Sequence, residues 1–207
     1  MTHGETLSDA ELGRALLARQ GLLERLDSPI PQAVERLGAM QAQHWPALPV
    51  ALWSRCTGFV AADLYAALQQ GELVTGQLIR GTLHLVSSAE YPQYAAVAAE
   101  SGSDSWHRTK EPPTEGMRQV RQRMAHYAAE QPRSGAQLSA FVENAVGSGL
   151  RDDPTLIATA ELQIQRNHSW RAFSRWSGLV RVPESGKWNG KKPAAYAAAP
   201  AAVPGSD

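Results

Sequence analysis

A mainly α-helical fold carrying small β-hairpins (α+β) is what this sequence predicts, and three observations lead there. Apolar residues recur at helical spacing through much of the chain. The period changes to that of strands at LVTGQLI and TLHLVS, and again at LVRVPES and KWNGKKPAAYAAA. Prolines and glycines divide the helical stretches into short lengths. The chain has 207 residues, 43% hydrophobic and 19% charged, which is globular usage with room for one ordinary domain or two small ones.

Ser8 or Asp9 can cap a first helix running to about Arg25, with Glu11 in its first turn and Leu12, Leu16 and Leu23 near helical spacing. Pro29 and Pro31 break it, and Pro31 suits the first turn of a second helix, PQAVERLGAM, with Val34 and Leu37 on its apolar side. In QAQHWPALPVALWSR, Pro46 and Pro49 argue against one continuous helix. AADLYAALQQ forms a third helix with Leu64 and Leu68 one turn apart, stopped by Gly71. The runs LVTGQLI and TLHLVS then make a hairpin about Arg80-Gly81. In the second run Leu83 and Leu85 share one face, while Thr82, His84 and Val86 share the other. Three short helices followed by a two-stranded hairpin is the order of a winged helix, the helix-turn-helix variant whose hairpin can reach DNA. A small helical bundle capped by a ribbon would read the same way.

A helix after Ser87 or Ser88 leads into the polar stretch SGSDSWHRTKEPPTEG, read as a linker or exposed loop. The order then repeats. TEGMRQVRQRMAHYAAE carries Met117, Val120 and Met124 at helical spacing, PRSGAQLSAFVENAV supplies a second helix, and ELQIQRNHSWRAFSRWSG a third before the second hairpin. The expectation is tandem winged-helix domains: residues 1–100, a linker at 101–113, residues 114–199, and a disordered Ala/Pro-rich tail at 200–207.

Composition excludes several classes. No run approaches eighteen consecutive apolar residues, and the N-terminus lacks a secretory h-region, so no spanning helix or signal peptide is expected. The single cysteine, Cys56, cannot form an internal disulfide and fits a reducing cytoplasm; its apolar context suits a small core residue rather than a nucleophile. Six scattered histidines give no metal-ligand spacing, and no phosphate-binding glycine loop is present, so no metal or cofactor is expected. Net charge is zero, which argues against a nucleic-acid packaging protein. The balance is uneven, however. From Arg166 to Lys192 there are seven basic residues, Arg166, Arg171, Arg175, Arg181, Lys187, Lys191 and Lys192, against Glu184 alone. Such a stripe can bind phosphate, or it can be an ordinary solvated surface.

Two clusters are candidates for chemistry. Gln41 and Gln43 flank Ala42; in extended backbone their amides share a face, whereas in a helix they lie about 200° apart. An amide has no useful acid–base pKa, yet a pair can position a water for attack on an activated bond. The plainer reading is two structural glutamines beside a helix end. Arg80 can meet a DNA phosphate at the wing turn and His84 a base or sugar, or they are a polar turn residue and a partly buried strand residue. Trp45, Trp53, Trp170 and Trp176 read as core or edge packing rather than stacking platforms.

At QAQ, LWSR and RGTLHLV the chain resembles the winged-helix DNA-binding proteins of the AlkZ-like DNA glycosylase family. The likeness begins near LLARQGLLER, is strongest at LIRGTLHLV, and returns more weakly at RWSGLVRVPESGKWNG. It departs at VTGQLI, where relatives carry a bulkier, more basic run. The resemblance implies the Gln-x-Gln branch, with Gln41 and Gln43 serving glycosidic-bond hydrolysis. It further implies tandem winged helices around a concave DNA-binding face; the residues read above from the wing and the basic stripe, Arg80, His84, Arg171, Arg175, Arg181, Lys187, Lys191 and Lys192, are the candidates to contact DNA there.

The implied activity is a monofunctional DNA glycosylase, a hydrolase of DNA repair acting on N7- or N3-alkylated purines or crosslinked bases. Alkylation makes the base cationic, so weak catalytic groups suffice to assist its departure. The expected partner is double-stranded DNA, alkylated or interstrand-crosslinked, bound by a monomer with no membrane role. Two other classes stay open: a non-catalytic DNA-binding module or inactive truncated relative, and a winged helix that binds protein. Similar proteins continue into a further winged helix and a small barrel, so the resemblance implies a C-terminally truncated member. The nucleotide sequence downstream of Asp207 is then expected to encode more of the same protein; sequencing it and finding no such capacity in any frame refutes truncation.

Overall fold

Ser8 opens the chain's first helix with a reciprocal cap. Its hydroxyl accepts from the Glu11 amide (3.3 Å), and its own amide donates to the Glu11 carboxylate (2.9 Å). These bonds hold the Glu11 carboxyl below its usual range. The structure, a computed structural model, describes residues 6–101, 115–149, 178–191 and 193–199. Helix α1 spans Asp9–Arg19, shorter than the expected run to Arg25, because Gly21 takes a left-handed φ of 65° that ends it. None of its residues is buried, and Leu12 and Leu16, at the expected helical spacing, are about half exposed.

From Pro29 onward the chain alternates helices and strands: α2 (Ile30–Leu37), β1 (Met40–Gln41), α3 (Ala47–Arg55), α4 (Ala61–Gln69), β2 (Leu73–Gln77) and β3 (Leu83–Ser87). As Pro46 and Pro49 imply, QAQHWPALPVALWSR is not one continuous helix; β1 gives way to α3, which begins at these prolines. Pro46 is the N-cap and Pro49 lies in the first turn, where amides have no intrahelical partner to lose. A single 3-10 turn at Ile79–Gly81 joins β2 to β3, so the connection is longer than a tight two-residue hairpin. The second half continues with α5 (Tyr91–Ser101), α6 (Glu115–Glu130), β4 (Arg133–Ser134), α7 (Gly135–Gly149), β5 (Leu179–Val182) and β6 (Ala195–Ala198).

The strands form one six-stranded sheet in the order β1-β3-β2-β5-β6-β4, with every pairing antiparallel. The architecture is thus a mixed α/β one, helices around a small antiparallel sheet, and winged-helix-like. The two hairpins do not carry separate sheets; β2 joins β5 through the pair Gly76 and Val180. The expected third helix of the second half, up to residue 177, and the tail lie outside the described residues, as does the linker beyond Ser101, which still belongs to α5.

Strand β3 explains where the cores sit. Its even and odd residues face opposite ways, as expected from the sequence. Leu83 and Leu85 enter a core with Val34, Leu52, Leu64 and Leu68. Val86 faces the other side, against Val74, Tyr91 and Val180. A third cluster holds Val120, Met124, Leu138 and Val142 between α6 and α7, with Leu179 and Tyr196. Cys56 is buried in the first core, as expected, and burial raises its thiol pKa.

The seam between the hairpins needs glycine. A Cβ built on Gly76 would stand 2.9 Å from Cε2 of Tyr91, a ring only 6% exposed and without room to swing away. Gly76→Ala is therefore expected to destabilise the fold by about 1–3 kcal/mol through overpacking. The urea unfolding midpoint measures this, and an unchanged midpoint refutes it.

Candidate functional site

The Gln-Ala-Gln segment leaves helix α2 as strand β1 and runs beside β3 before α3 begins. Met40 pairs with Leu85 and Gln41 with His84. Extended backbone is thus the case realised for Gln41. Ala42 is fully buried, while Gln41 and Gln43 on either side of it are exposed. The alanine methyl anchors the segment to the first core, and the amides are left at the surface.

A backbone exchange fixes Gln43. The Ala42 amide donates to the Leu83 carbonyl (2.7 Å), and an uninterrupted antiparallel pair would return a bond from the Leu83 amide to Ala42. Instead the Leu83 amide donates to Oε1 of Gln43 at 3.2 Å. The Gln43 side chain therefore completes the strand pairing where the main chain turns away. Because Leu83 N–H can only donate, the oxygen is the atom facing it, and the amide NH2 is directed elsewhere. Gln41 has no such tether in its described bonds.

His84 lies directly across from Gln41 and is 6% exposed. Its Nδ1 lies 2.9 Å from the Thr82 carbonyl. Burial pushes its pKa below the ordinary histidine value; the Thr82 carbonyl opposes this and the Arg80 charge adds to it. Arg80 itself is exposed at the crest of the turn with φ of 52°, the one non-glycine residue of positive φ among the described residues. Left-handed backbone costs a side-chain-bearing residue about 1–2 kcal/mol; here it follows from the hairpin turn, in which Arg80 and Gly81 both take positive φ and the Thr82 amide closes on the Ile79 carbonyl (3.2 Å).

The second hairpin reaches the same end of the molecule. Trp188 stacks on Trp45 with centroids 5.5 Å apart, two residues beyond Gln43. Gly190 approaches Tyr65 of α4. Lys187 and Lys191 are exposed on this loop. Arg181 is placed differently: its guanidinium donates to the Pro193 carbonyl (3.2 Å) and lies over the Tyr196 ring, within its own hairpin. Arg171, Arg175 and Lys192 lie outside the described residues, as do Trp170 and Trp176. Trp45 is buried as expected, while Trp53 is largely exposed beneath the Arg25 guanidinium.

The structure thus gathers Gln41, Gln43, His84 and Arg80 along β1, β3 and the turn before β3. The Leu83 amide and Trp188 also belong to this region and were missed from sequence. Nothing in a side-chain alphabet marks the first; for the second, a lone tryptophan within the Gly/Lys/Asn-rich KWNGKK was an available signal. Among the described residues no cluster of His, Cys, Asp or Glu could hold a metal, and no helix is long and apolar enough to cross a membrane.

Residues 34–207 match the family model described as DNA glycosylase AlkZ-like. The chain belongs to this AlkZ-like family. The structure is similar to that of Streptomyces sahachiroi DNA glycosylase AlkZ, with a TM-score of 0.65 at 21% identity, over 88% of this chain and 47% of that one. At that identity the likeness concerns the fold, and the AlkZ-like chain spans about half the length of the protein it matches. A comparison with curated proteins gave no match.

The buried histidine makes stability depend on acidity. Its folded pKa lies below the ordinary 6.5, so between those values the unfolded chain binds more protons than the folded one. The contribution is fully present above pH 6.5 and is lost as pH falls through the folded value. Replacing His84 with Gln should make the Tm less sensitive to acidification across this window. Identical pH dependence of Tm in the two proteins would show that His84 is not the source.

Proposed function

We propose that this AlkZ-like chain is a DNA-binding protein that hydrolyses the N-glycosidic bond of N7- or N3-alkylated purines or crosslinked bases. The observation that carries the reading is the pair of exposed amides, Gln41 and Gln43, held on either side of a buried Ala42 against β3. In this reading the lesion base is already cationic and departs without a protein acid. Charge develops on the deoxyribose, and the two glutamines orient the water that completes hydrolysis. Orientation of this kind can supply a large part of the rate when the leaving group is already good. Gln43, fixed through its oxygen by Leu83, offers its NH2 as a donor; Gln41 supplies the adaptable amide.

The strand order supports a tandem winged-helix reading of the fold. The triplet β1-β3-β2 is followed by β5-β6-β4, and in each a short strand pairs with the second strand of a hairpin. On this reading the domains are 1–100 and 114–199, joined edge to edge, with Arg80, Lys187 and Lys191 presented to duplex DNA by a monomer in the cytoplasm. A second reading is a non-catalytic DNA-binding module, supported by the family match and by the exposed Arg80, Lys187 and Lys191.

The two readings separate in one assay. Purified protein in excess over a duplex containing N7-methylguanine should release free base faster than buffer, and Gln41→Ala should abolish the excess. No release above buffer leaves the binding reading. The wing makes its own prediction under either. Arg80→Ala should weaken damaged and undamaged duplex alike and make the logarithmic salt dependence shallower by roughly one unit. A loss confined to damaged duplex would place Arg80 at the lesion, and unchanged binding would make it a turn residue only.

A further inference from the structure

An amide can hold a water and orient it, but it cannot take up the proton that the water must lose. The strand register shows where such a proton can go. One row crosses the sheet from Gln41 on β1 to His84 on β3, Gly76 on β2 and Val180 on β5. His84 is the only titratable member of that row. Because Ala42 and Leu83 are the hydrogen-bonded partners, Gln41 and His84 form the adjacent non-hydrogen-bonded pair, the kind in which facing side chains approach most closely.

The ring is also held in a defined state. The Thr82 carbonyl 2.9 Å from Nδ1 can only accept, so in the neutral ring Nδ1 carries the hydrogen and Nε2 presents its lone pair. Groups around it keep it neutral near pH 7. Gln41 faces it from β1 and Gly76 from β2, neither charged; Tyr91 of α5 lies over Gly76 with its hydroxyl pKa pushed up to about 12 by burial. Arg80 on the turn is the one charged neighbour, and its sign disfavours the imidazolium. No described contact brings a carboxylate against the ring to reverse this.

We propose that His84 is a further catalytic residue, accepting at Nε2 the proton of the water that Gln41 orients. The inference rests on the glycosylase reading above. In the step, the water oxygen bonds to C1′ of the deoxyribose while the bond from C1′ to the base nitrogen breaks. The bonding electron pair leaves with the alkylated base and cancels its positive charge. One water proton passes to Nε2, and the resulting imidazolium returns it to solvent. Atoms and charge balance with water as the only co-reactant. This differs from a role in gripping DNA, because a proton acceptor acts on the rate of bond breaking and not on affinity for intact duplex.

The test is single-turnover release of N7-methylguanine from a duplex oligonucleotide by the full chain, with affinity for undamaged duplex measured in parallel. His84→Gln retains polar character without the titration, and His84→Ala opens space for added imidazole; circular dichroism checks that each is folded. The expected loss of rate in His84→Gln is about 100-fold or more, the usual effect of removing a general base, with duplex affinity unchanged. Imidazole should restore part of the rate of His84→Ala. The rate of the unaltered protein should fall on acidification while the residual rate of His84→Gln does not. A His84→Gln variant that releases base at the parent rate overturns the proposal and leaves the glycosylase reading standing. A loss of rate matched by an equal loss of duplex affinity also overturns it, since His84 would then be a DNA contact. Absence of release by the unaltered protein refutes the glycosylase reading itself and this proposal with it.

Discussion

The two-residue period of β3 is the constraint on which the rest of the molecule depends. Leu83 and Leu85 close the core beneath α2, α3 and α4, and the intervening His84 and Val86 are turned to the side covered by α5. A shift of register by one residue would exchange those two sets, sending leucines to the site and histidine into the apolar core. The same strand provides the pairing edge for β1 on one side and β2 on the other. Core, site and hairpin are therefore specified together, and a change that frees β3 disturbs all of them.

Gln43 shows how structure and candidate chemistry share one side chain. Its oxygen substitutes for a main-chain acceptor at the point where β1 gives way to the turn before α3. On the proposed glycosylase reading, that bond holds the amide in place before any substrate arrives. Preorganisation of this sort removes ordering from the reaction step, because the entropy of the side chain has already been lost during folding. Trp188 adds a comparable constraint from the other hairpin, stacking on Trp45 and setting the loop that bears Lys187 and Lys191 near the same region.

Much of this was legible in the sequence because it rests on local rules. The Ser8–Glu11 spacing marked the start of α1, the alternation in TLHLVS marked β3, and Leu64 and Leu68 marked the inner face of α4. The family resemblance at QAQ and RGTLHLV agrees with the match over 34–207. What the sequence obscured depends on tertiary context. Helical spacing placed Leu12 and Leu16 on α1 but carried no sign that neither of them is buried. The joining of two hairpins into one sheet through Gly76 and Val180 is a long-range pairing with no local signature. The bond from the Leu83 amide to Gln43 was invisible for the same reason, since it links residues 40 positions apart through a backbone atom.

Helix α1 differs from every other part of the first half in what keeps it folded. It is 11 residues long with no buried side chain, and its defined stabilising feature is the reciprocal cap at Ser8 and Glu11. Helices of this length are marginal in water when packing does not support them. Strand β3, by contrast, can expose its amides only when two cores come apart. The molecule consequently has two widely separated scales of local opening. Amide hydrogens of α1 exchange with solvent through fraying that leaves the site intact, whereas those of β3 exchange only through events approaching complete unfolding.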